Sequence, residues 1–277
     1  MTKKIGIVCC SDGFKRTYES EIEKLQRTLA EMGIESVLSP FLYARDGVAS
    51  GTAEERAKAV MDFYMDDTID VICDISGGDI ANGILPYLDY SVIAKMHKQF
   101  WGYSDLTTVL NAIYAKTGRT GVLYQIRNVL YKEREQQMAD VQNVLCDSGD
   151  ALYRINYHYV QGTEMHGIVV GGNIRCFLKL AGTAYMPDLH GKILLLESRS
   201  GTVARMETYL SQLQQIGAFE AIAGVLLGTF TEMEAKHCTP DIVQLVKKYV
   251  RKTMPIAVTK QIGHGTDAKG VVIGGEL

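Results

Sequence analysis

Residues 69–75 read IDVICDI and run directly into SGGD at residues 76–79, and this stretch decides the fold. A short apolar run that is rich in β-branched residues and ends in glycines predicts a buried strand with a loop at its carboxyl end.

The segments before this strand alternate between the strand pattern and the helix pattern. The expected elements are a strand at 5–10, a helix at 17–32, a strand at 34–38 and a helix at 54–64. Strand and helix in alternation predict an α/β fold, in which ligands collect at the carboxyl ends of the strands.

A second loop is expected at the same edge of the sheet. Residues 100–103 (FWGY) run into SDLT at 104–107, and a helical pattern follows at 109–116. Two polar loops, 76–79 and 104–107, therefore follow two strands of one predicted sheet.

The chain changes character near residues 147–150, after a polar, helix-prone segment at 134–149. Later strands are expected at 167–172, 192–197, 224–230 and 255–258, with helices at 202–215 and 241–251. At 277 residues the chain exceeds the usual size of one domain. We predict an N-terminal domain at 1–150, a linker at 151–164 and a C-terminal domain at 165–277.

Composition excludes several classes of function. Hydrophobic residues make up 47% of the chain and charged residues 22%, which is typical of globular proteins. The net charge of −3 comes from mixed signs, without a basic patch for nucleic acid. No stretch has the length of a membrane span and no secretory signal is present, so we expect a cytoplasmic protein. Its six cysteines show no CxxC spacing, which favours buried free thiols.

Ser104 is the candidate nucleophile. The sequence GYSD at 102–105 partly matches the nucleophile elbow, a sharp strand-to-helix turn that exposes a serine hydroxyl. Leu106 stands where the second glycine of that motif is usual. The alternative is a serine that caps the following helix.

A serine nucleophile needs a base, and His264 is the strongest of six histidines because it lies between two glycines just after a strand. The alternative is a turn histidine exposed to water. The remaining histidines are His97, His158, His166, His190 and His237.

The base needs an acid that orients it, and Glu197 ends a fully apolar run, where a carboxylate must find a partner. An exposed acid at a strand end is the alternative reading. The other candidate acids are Asp74, Asp79 and Asp105, the last of which is expected to hold the elbow through local backbone hydrogen bonds.

The glycine pair at 77–78 follows a buried strand and allows a backbone N–H to approach a developing oxyanion. It lacks the spacing of a dinucleotide or phosphate-binding loop, so we expect no nucleotide cofactor and no metal. Residues 171–173 (GGN) are expected to form a tight turn.

Several blocks, taken in order, resemble the signature segments of the LD-carboxypeptidase family of serine peptidases. They are SGGD at 76–79 with Asn82, LPYLD at 85–89, GYSDLT at 102–107, GGN at 171–173, GT at 182–183, ILLLE at 193–197 and GHG at 263–265. The family includes muropeptide LD-carboxypeptidases and the hydrolases that give self-immunity to microcin C.

The resemblance implies a Ser-Glu-His triad made of Ser104, Glu197 and His264, with an oxyanion held by the backbone N–H groups of Gly78 and Asp105. It also implies a flavodoxin-like N-terminal domain, a smaller β-rich α/β C-terminal domain, an active site between them and a homodimer.

The expected function is that of a serine carboxypeptidase that releases the terminal D-Ala from a murein tetrapeptide during cell-wall recycling. The alternatives are hydrolysis of a microcin-like peptidyl-adenylate and a non-enzymatic sensor of a small ligand. The expected partner is a small peptide substrate, without nucleic acid, membrane, metal or cofactor.

Overall fold

The structure, a computed structural model, describes residues 2–45 and 47–277. The strands of these residues are β1 (Lys3–Val8), β2 (Ile34–Leu38), β3 (Val71–Asp74), β4 (Gln99–Gly102), β5 (Gly121–Leu123), β6 (His158–Gln161), β7 (Val169–Asn173), β8 (Ile193–Ser198), β9 (Gly224–Phe230), β10 (Ile256–Val258) and β11 (Val271–Ile273). The helices are α1 (Glu19–Glu31), α2 (Ala53–Met65), α3 (Tyr90–Lys95), α4 (Thr107–Thr117), α5 (Arg134–Leu145), α6 (Ile174–Leu178), α7 (Val203–Gln215), α8 (Ala218–Ala221), α9 (Thr231–Ala235) and α10 (Ile242–Tyr249).

The first sheet has the strand order β11-β5-β4-β3-β1-β2. Strands β1 to β5 are parallel, and β11 pairs antiparallel with β5. The order 2-1-3-4-5 of the parallel strands is that of flavodoxin-like folds, which bind ligands where the strand order reverses.

The second sheet has the order β6-β10-β9-β8-β7, in which β7 to β10 are parallel and β6 is antiparallel. The predicted fold class, a flavodoxin-like domain followed by a smaller β-rich α/β domain, is confirmed. Helices in the described residues are all too short or too polar to cross a bilayer.

Two short strands bear on the domain division. Strand β6 lies inside the segment 151–164 that we predicted as a linker, yet it pairs with the second sheet. Strand β11 lies near the C-terminus but completes the first sheet. The chain therefore crosses between the sheets more than once, and the domain boundaries stay a prediction.

A single hydrophobic cluster joins the two sheets. It contains Ile72 and Val109 from the first sheet and its helices, together with Val170 and Leu195 from the second sheet. A separate cluster fills the opposite face of the first sheet, under α1 and α5. Because the inner cluster is continuous, the relative position of the two sheets is fixed by packed side chains.

Two sequence expectations differ from the structure. Residues 171–173 (GGN) do not form a tight turn, because they are the last three residues of β7 and pair with β8. Of the six cysteines, Cys146 is exposed and Cys238 is half-buried, whereas the other four are buried; all six are free thiols.

The middle of β1 accepts no side chain at Gly6. A Cβ atom there would overlap the ring of Phe63 on α2, and Phe63 is itself buried. We predict that Gly6→Ala lowers the free energy of unfolding by about 1–3 kcal/mol, the usual cost of overpacking a core. Urea unfolding followed by circular dichroism measures this change.

Gly83→Ala is the matched control. A Cβ at Gly83 would come no closer than 3.8 Å to Arg56. We expect the free energy of unfolding of this variant to stay within about 1 kcal/mol of the original. Any increase would come from alanine, which lowers the conformational entropy of the unfolded chain. Equal destabilisation by both substitutions would contradict the packing argument.

Candidate active site

The polar loops predicted at one edge of the first sheet do lie side by side. Strands β3 and β4 are parallel neighbours that end at Asp74 and Gly102, so the loops that follow them share a rim. Glu197 lies in β8 of the second sheet, and His264 lies in the loop between β10 and β11. The candidate residues therefore come from both sheets.

The structure brings Ser104, His264 and Glu197 together in one hydrogen-bonded chain. The Nε2 atom of His264 lies 3.3 Å from the Ser104 hydroxyl, and its Nδ1 atom lies 2.7 Å from Oε2 of Glu197. The imidazole is only 8% exposed and Glu197 is fully buried. Because the carboxylate accepts the Nδ1 proton, Nε2 is free to accept the proton of the hydroxyl.

The backbone at Ser104 has the conformation of a nucleophile elbow. Its φ of 54° lies in the left-handed region, which costs energy for a residue other than glycine. Neither the 3-10 turn that starts at Ser104 nor α4 is capped by a side chain, so the capping alternative is wrong. Gly102 permits the turn, because a Cβ there would lie 2.6 Å from the Cβ of buried Leu106.

Glu197 lies at an irregularity in the pairing of β8. The pairing of β8 with β9 shifts register between Leu196 and Ser198, and such bulges re-aim side chains. Its Oε1 atom accepts a 3.0 Å hydrogen bond from Asn173, the residue directly opposite on β7. The alternative of an exposed acid at a strand end is wrong.

Asn173 is a site residue that the sequence analysis missed. Its backbone N–H donates to the Thr107 hydroxyl at 3.0 Å, and its side-chain oxygen accepts from the Cys176 amide at 3.3 Å. Asn173 thus caps α6 and supports Glu197 at once. Residues 171–173 (GGN) stood out in the sequence, but because a tight turn was expected there, Asn173 was not identified as a partner of Glu197.

The other candidate acids do not contact His264. Asp74 is buried under the loops, where its carboxylate accepts from the amides of Cys10 (2.6 Å) and Ser76 (2.7 Å). Burial raises the pKa of Asp74, and these hydrogen bonds oppose the rise. Asp79 is mostly exposed and pairs with cations of α6 and its C-cap. Both acids shape the loops around Ser104.

Asp105 is fully buried, and its carboxylate makes long-range contacts in place of the local backbone bonds that we expected. Its Oδ2 atom accepts from the Ser11 hydroxyl at 2.7 Å and from the Ala81 amide at 2.8 Å, and Oδ1 accepts from Lys179 at 2.5 Å. Asp105 therefore ties the elbow to the loops after β1 and β3 and to the second domain.

Gly78 lies in the loop that Asp105 anchors. Its φ of 131° suits glycine alone, and a Cβ there would overlap the carboxylate of Asp12. Burial and the neighbouring charge of Asp105 raise the pKa of Asp12. The backbone N–H groups of Gly78 and Asp105 belong to two loops that share the edge next to Ser104.

Tyr103 is a further residue that the sequence analysis missed. Its ring lies 4.5 Å from the imidazole of His264, measured between centroids, and limits the movement of that ring. Burial, reinforced by Glu197, raises the pKa of the Tyr103 hydroxyl, so it stays neutral.

The other five histidines are exposed: His97, His158, His166, His190 and His237.

A cavity of about 310 Å³ opens beside Gly77 on the first sheet. Phe14 and Tyr18 contribute aromatic walls, and Arg127 pairs there with Glu21 at 3.1 Å. Among residues 2–45 and 47–277, no three His, Cys, Asp or Glu side chains are grouped as metal ligands.

Known proteins match along nearly the whole chain. A protein of Bacillus subtilis (strain 168) named "Probable murein peptide carboxypeptidase" is 26% identical over 89% of this chain and 80% of its own. The "Microcin C7 self-immunity protein MccF" of Escherichia coli is 26% identical over 77% of this chain and 70% of its own.

A solved structure has the same fold. The MccF-like protein of Bacillus anthracis superimposes with a TM-score of 0.85 at 25% identity, covering 99% of this chain and 92% of that one. The family models agree with this match: the LD-carboxypeptidase N-terminal domain matches residues 5–125 and the LD-carboxypeptidase C-terminal domain matches residues 166–277. The chain therefore belongs to the LD-carboxypeptidase family of S66 peptidases.

Proposed function

We propose that the chain is a serine carboxypeptidase in which Ser104 is the nucleophile, His264 the general base and Glu197 the acid that orients it. The observation that carries this proposal is the hydrogen-bonded chain from Ser104 through His264 to Glu197. A serine hydroxyl is a weak nucleophile until a positioned base removes its proton, and this arrangement supplies that base.

In the first step His264 Nε2 takes the Ser104 proton while Oγ attacks the carbonyl carbon of the scissile amide. The imidazolium that forms is stabilised by the buried carboxylate of Glu197, which keeps the ring in place. His264 then returns the proton to the leaving amine, and the amide bond breaks. Water, activated in turn by His264, hydrolyses the acyl-enzyme.

The negative charge of the tetrahedral intermediate needs donors that are fixed in advance. We assign this role to the backbone N–H groups of Gly78 and Asp105, which lie in adjacent loops after β3 and β4. Preorganised amide donors of this kind usually supply the largest single electrostatic contribution in acyl transfer. The positive φ of Ser104 supports the assignment, because an elbow presents hydroxyl and amide together.

The preferred substrate in this proposal is a murein tetrapeptide, from which the enzyme releases the terminal D-Ala. Membership of the LD-carboxypeptidase family supports it, as does the similarity to a relative named for murein peptides. Cell-wall recycling is the process that this reaction would serve. The homodimer and the cytoplasmic location stay predictions.

Hydrolysis of a peptidyl-adenylate amide is the second candidate, because the MccF relative matches over most of the chain. Both substrates use the same chemistry at Ser104 and differ in the leaving group. The muropeptide is preferred because the relative named for murein peptides matches 89% of this chain, against 77% for MccF.

Ser104→Ala removes the nucleophile. We expect the rate of D-Ala release to fall by about 10⁴- to 10⁶-fold, with the circular dichroism spectrum unchanged. Fluorophosphonate labelling followed by peptide mass spectrometry should locate the probe on Ser104 and nowhere else. Ser91→Ala, at an exposed serine whose hydroxyl donates to Asp89 at the start of α3, is the control and should keep full activity. Undiminished turnover by Ser104→Ala would reject the proposal.

Glu197→Gln tests the orienting acid. The glutamine oxygen must accept from Asn173, so its NH₂ group faces Nδ1 of His264 and forces the proton onto Nε2. That tautomer cannot accept the Ser104 proton, and we expect kcat to fall about 10⁴-fold. Glu207→Gln, at a surface ion pair with Lys248, is the control. A loss of less than tenfold in kcat for Glu197→Gln would contradict the assigned role.

A substrate comparison tests the specificity. We expect a murein tetrapeptide that ends in D-Ala to lose this residue, whereas the same peptide ending in L-Ala and a peptidyl-adenylate remain intact, as read by liquid chromatography and mass spectrometry. Faster cleavage of the peptidyl-adenylate would favour the second candidate.

A further inference from the structure

Two cations at the start of the second domain reach across to the loops that surround Ser104. Arg175, on α6, donates to the carbonyl of Gly78 at 3.2 Å and pairs with the carboxylate of Asp79. Lys179, which ends α6, donates to the carbonyl of Asp79 at 2.8 Å and to the carboxylate of Asp105 at 2.5 Å. These contacts join residues that are 74 to 100 positions apart in the chain.

The contact with Asp105 matters because this carboxylate is fully buried. A buried carboxylate is tolerated only with a cation and a full set of hydrogen bonds. Lys179 supplies the cation, while Ser11 and Ala81 supply neutral donors on the other oxygen. Since Asp105 directly follows Ser104, its anchored side chain fixes the peptide unit that carries the Asp105 N–H.

The orientation of the Gly78 N–H is fixed by hydrogen bonds to the carbonyl groups on either side of it. The carbonyl of Gly77 accepts from the Asp12 amide at 3.1 Å, and the carbonyl of Gly78 accepts from Arg175. In a trans peptide the C=O and N–H bonds point in opposite directions, so the Gly78 N–H points away from the Asp12 amide. Without Arg175, only one of the two flanking carbonyls would be held.

Lys179 is the cation that touches both loops. Its ammonium contacts Asp79, next to Gly78, and Asp105, next to Ser104. We propose that Lys179, assisted by Arg175, is a positioning residue that holds the amides of Gly78 and Asp105 in register as oxyanion donors. The second domain then contributes the base and the acid and also sets the geometry of the oxyanion hole on the first domain. This inference rests on the proposed function.

An ion pair that only stabilises the fold gives a different experimental result. Its loss lowers the melting temperature and leaves the rate of the folded enzyme unchanged. Misplaced oxyanion donors slow the chemical step and leave substrate binding nearly unchanged, because the developing charge exists only in the transition state.

The test measures the rate at which a fluorophosphonate labels Ser104 in the full-length protein. In this reaction Ser104 Oγ bonds to phosphorus, fluoride leaves, the serine proton passes to His264, and the phosphoryl oxygen occupies the oxyanion position. The probe therefore reports on the donors whatever the natural substrate is.

We expect Lys179→Met to slow labelling by about 10- to 100-fold, somewhat less than the loss of a whole donor. For D-Ala release, kcat should fall to the same extent while KM changes by less than about threefold. Lys179→Arg keeps the charge and should recover most of the lost rate. Lys248→Met removes a 2.7 Å surface ion pair with Glu207, which joins α10 to α7, and should behave as the unmodified protein does.

Arg175→Met keeps the inference testable if Lys179→Met does not fold, because Arg175 is one-third exposed and its partner Asp79 is mostly exposed. We expect labelling to slow about tenfold in this variant. Labelling rates within twofold of the unmodified protein for the folded variants would overturn the inference. Failure of the unmodified protein to label at Ser104 would overturn the proposed function, and the inference with it.

Discussion

The hydrogen bond between Ser104 and His264 joins two residues that are 160 positions apart. Ser104 lies in the turn after β4 of the first sheet, and His264 lies in the loop that runs from β10 of the second sheet to β11 of the first. Its length of 3.3 Å leaves little tolerance, because a hydrogen bond weakens steeply with separation and misalignment. Everything that sets the distance between the two sheets therefore bears on this contact. The continuous hydrophobic cluster between the sheets holds them together, and polar contacts at the edge of the first sheet hold the loops around Ser104 in place.

The loop that carries His264 lies at the junction of the two sheets because of the path that the chain takes. The loop leaves the second sheet after β10 and enters the first sheet at β11, so its residues must span the space between the two. Thr266 donates to Glu133 at 2.6 Å, and Lys269 pairs with Asp140 on α5. His264 is thus carried by a segment that is anchored to the first domain, although its carboxylate partner belongs to the second.

The sequence predicts the longer elements well, because continuous apolar runs and helical spacing are local signals. Strands β5, β6 and β11 were missed, since three or four residues carry too little pattern and their pairing is decided by tertiary contacts. Lys179 was missed because its partner Asp105 lies 74 positions away, and Asn173 was missed because residues 171–173 were expected to form a turn. Ser104, Glu197 and His264 became candidates because each interrupts a regular pattern at a strand end or in a glycine loop, and the family resemblance grouped them as a triad.

The anchoring contacts run in both directions between the domains. Cations of the second domain hold the loops around Ser104, while acids of the first domain hold the loop that carries His264. A domain opening that moved Lys179 away from the loops around Ser104 would leave the fully buried carboxylate of Asp105 without its cation, which is costly. The same contacts lower the cost of holding Ser104 in its left-handed conformation, because the surrounding structure fixes the turn on every side. The site is therefore organised before substrate arrives, as stabilisation of a developing oxyanion by fixed dipoles requires.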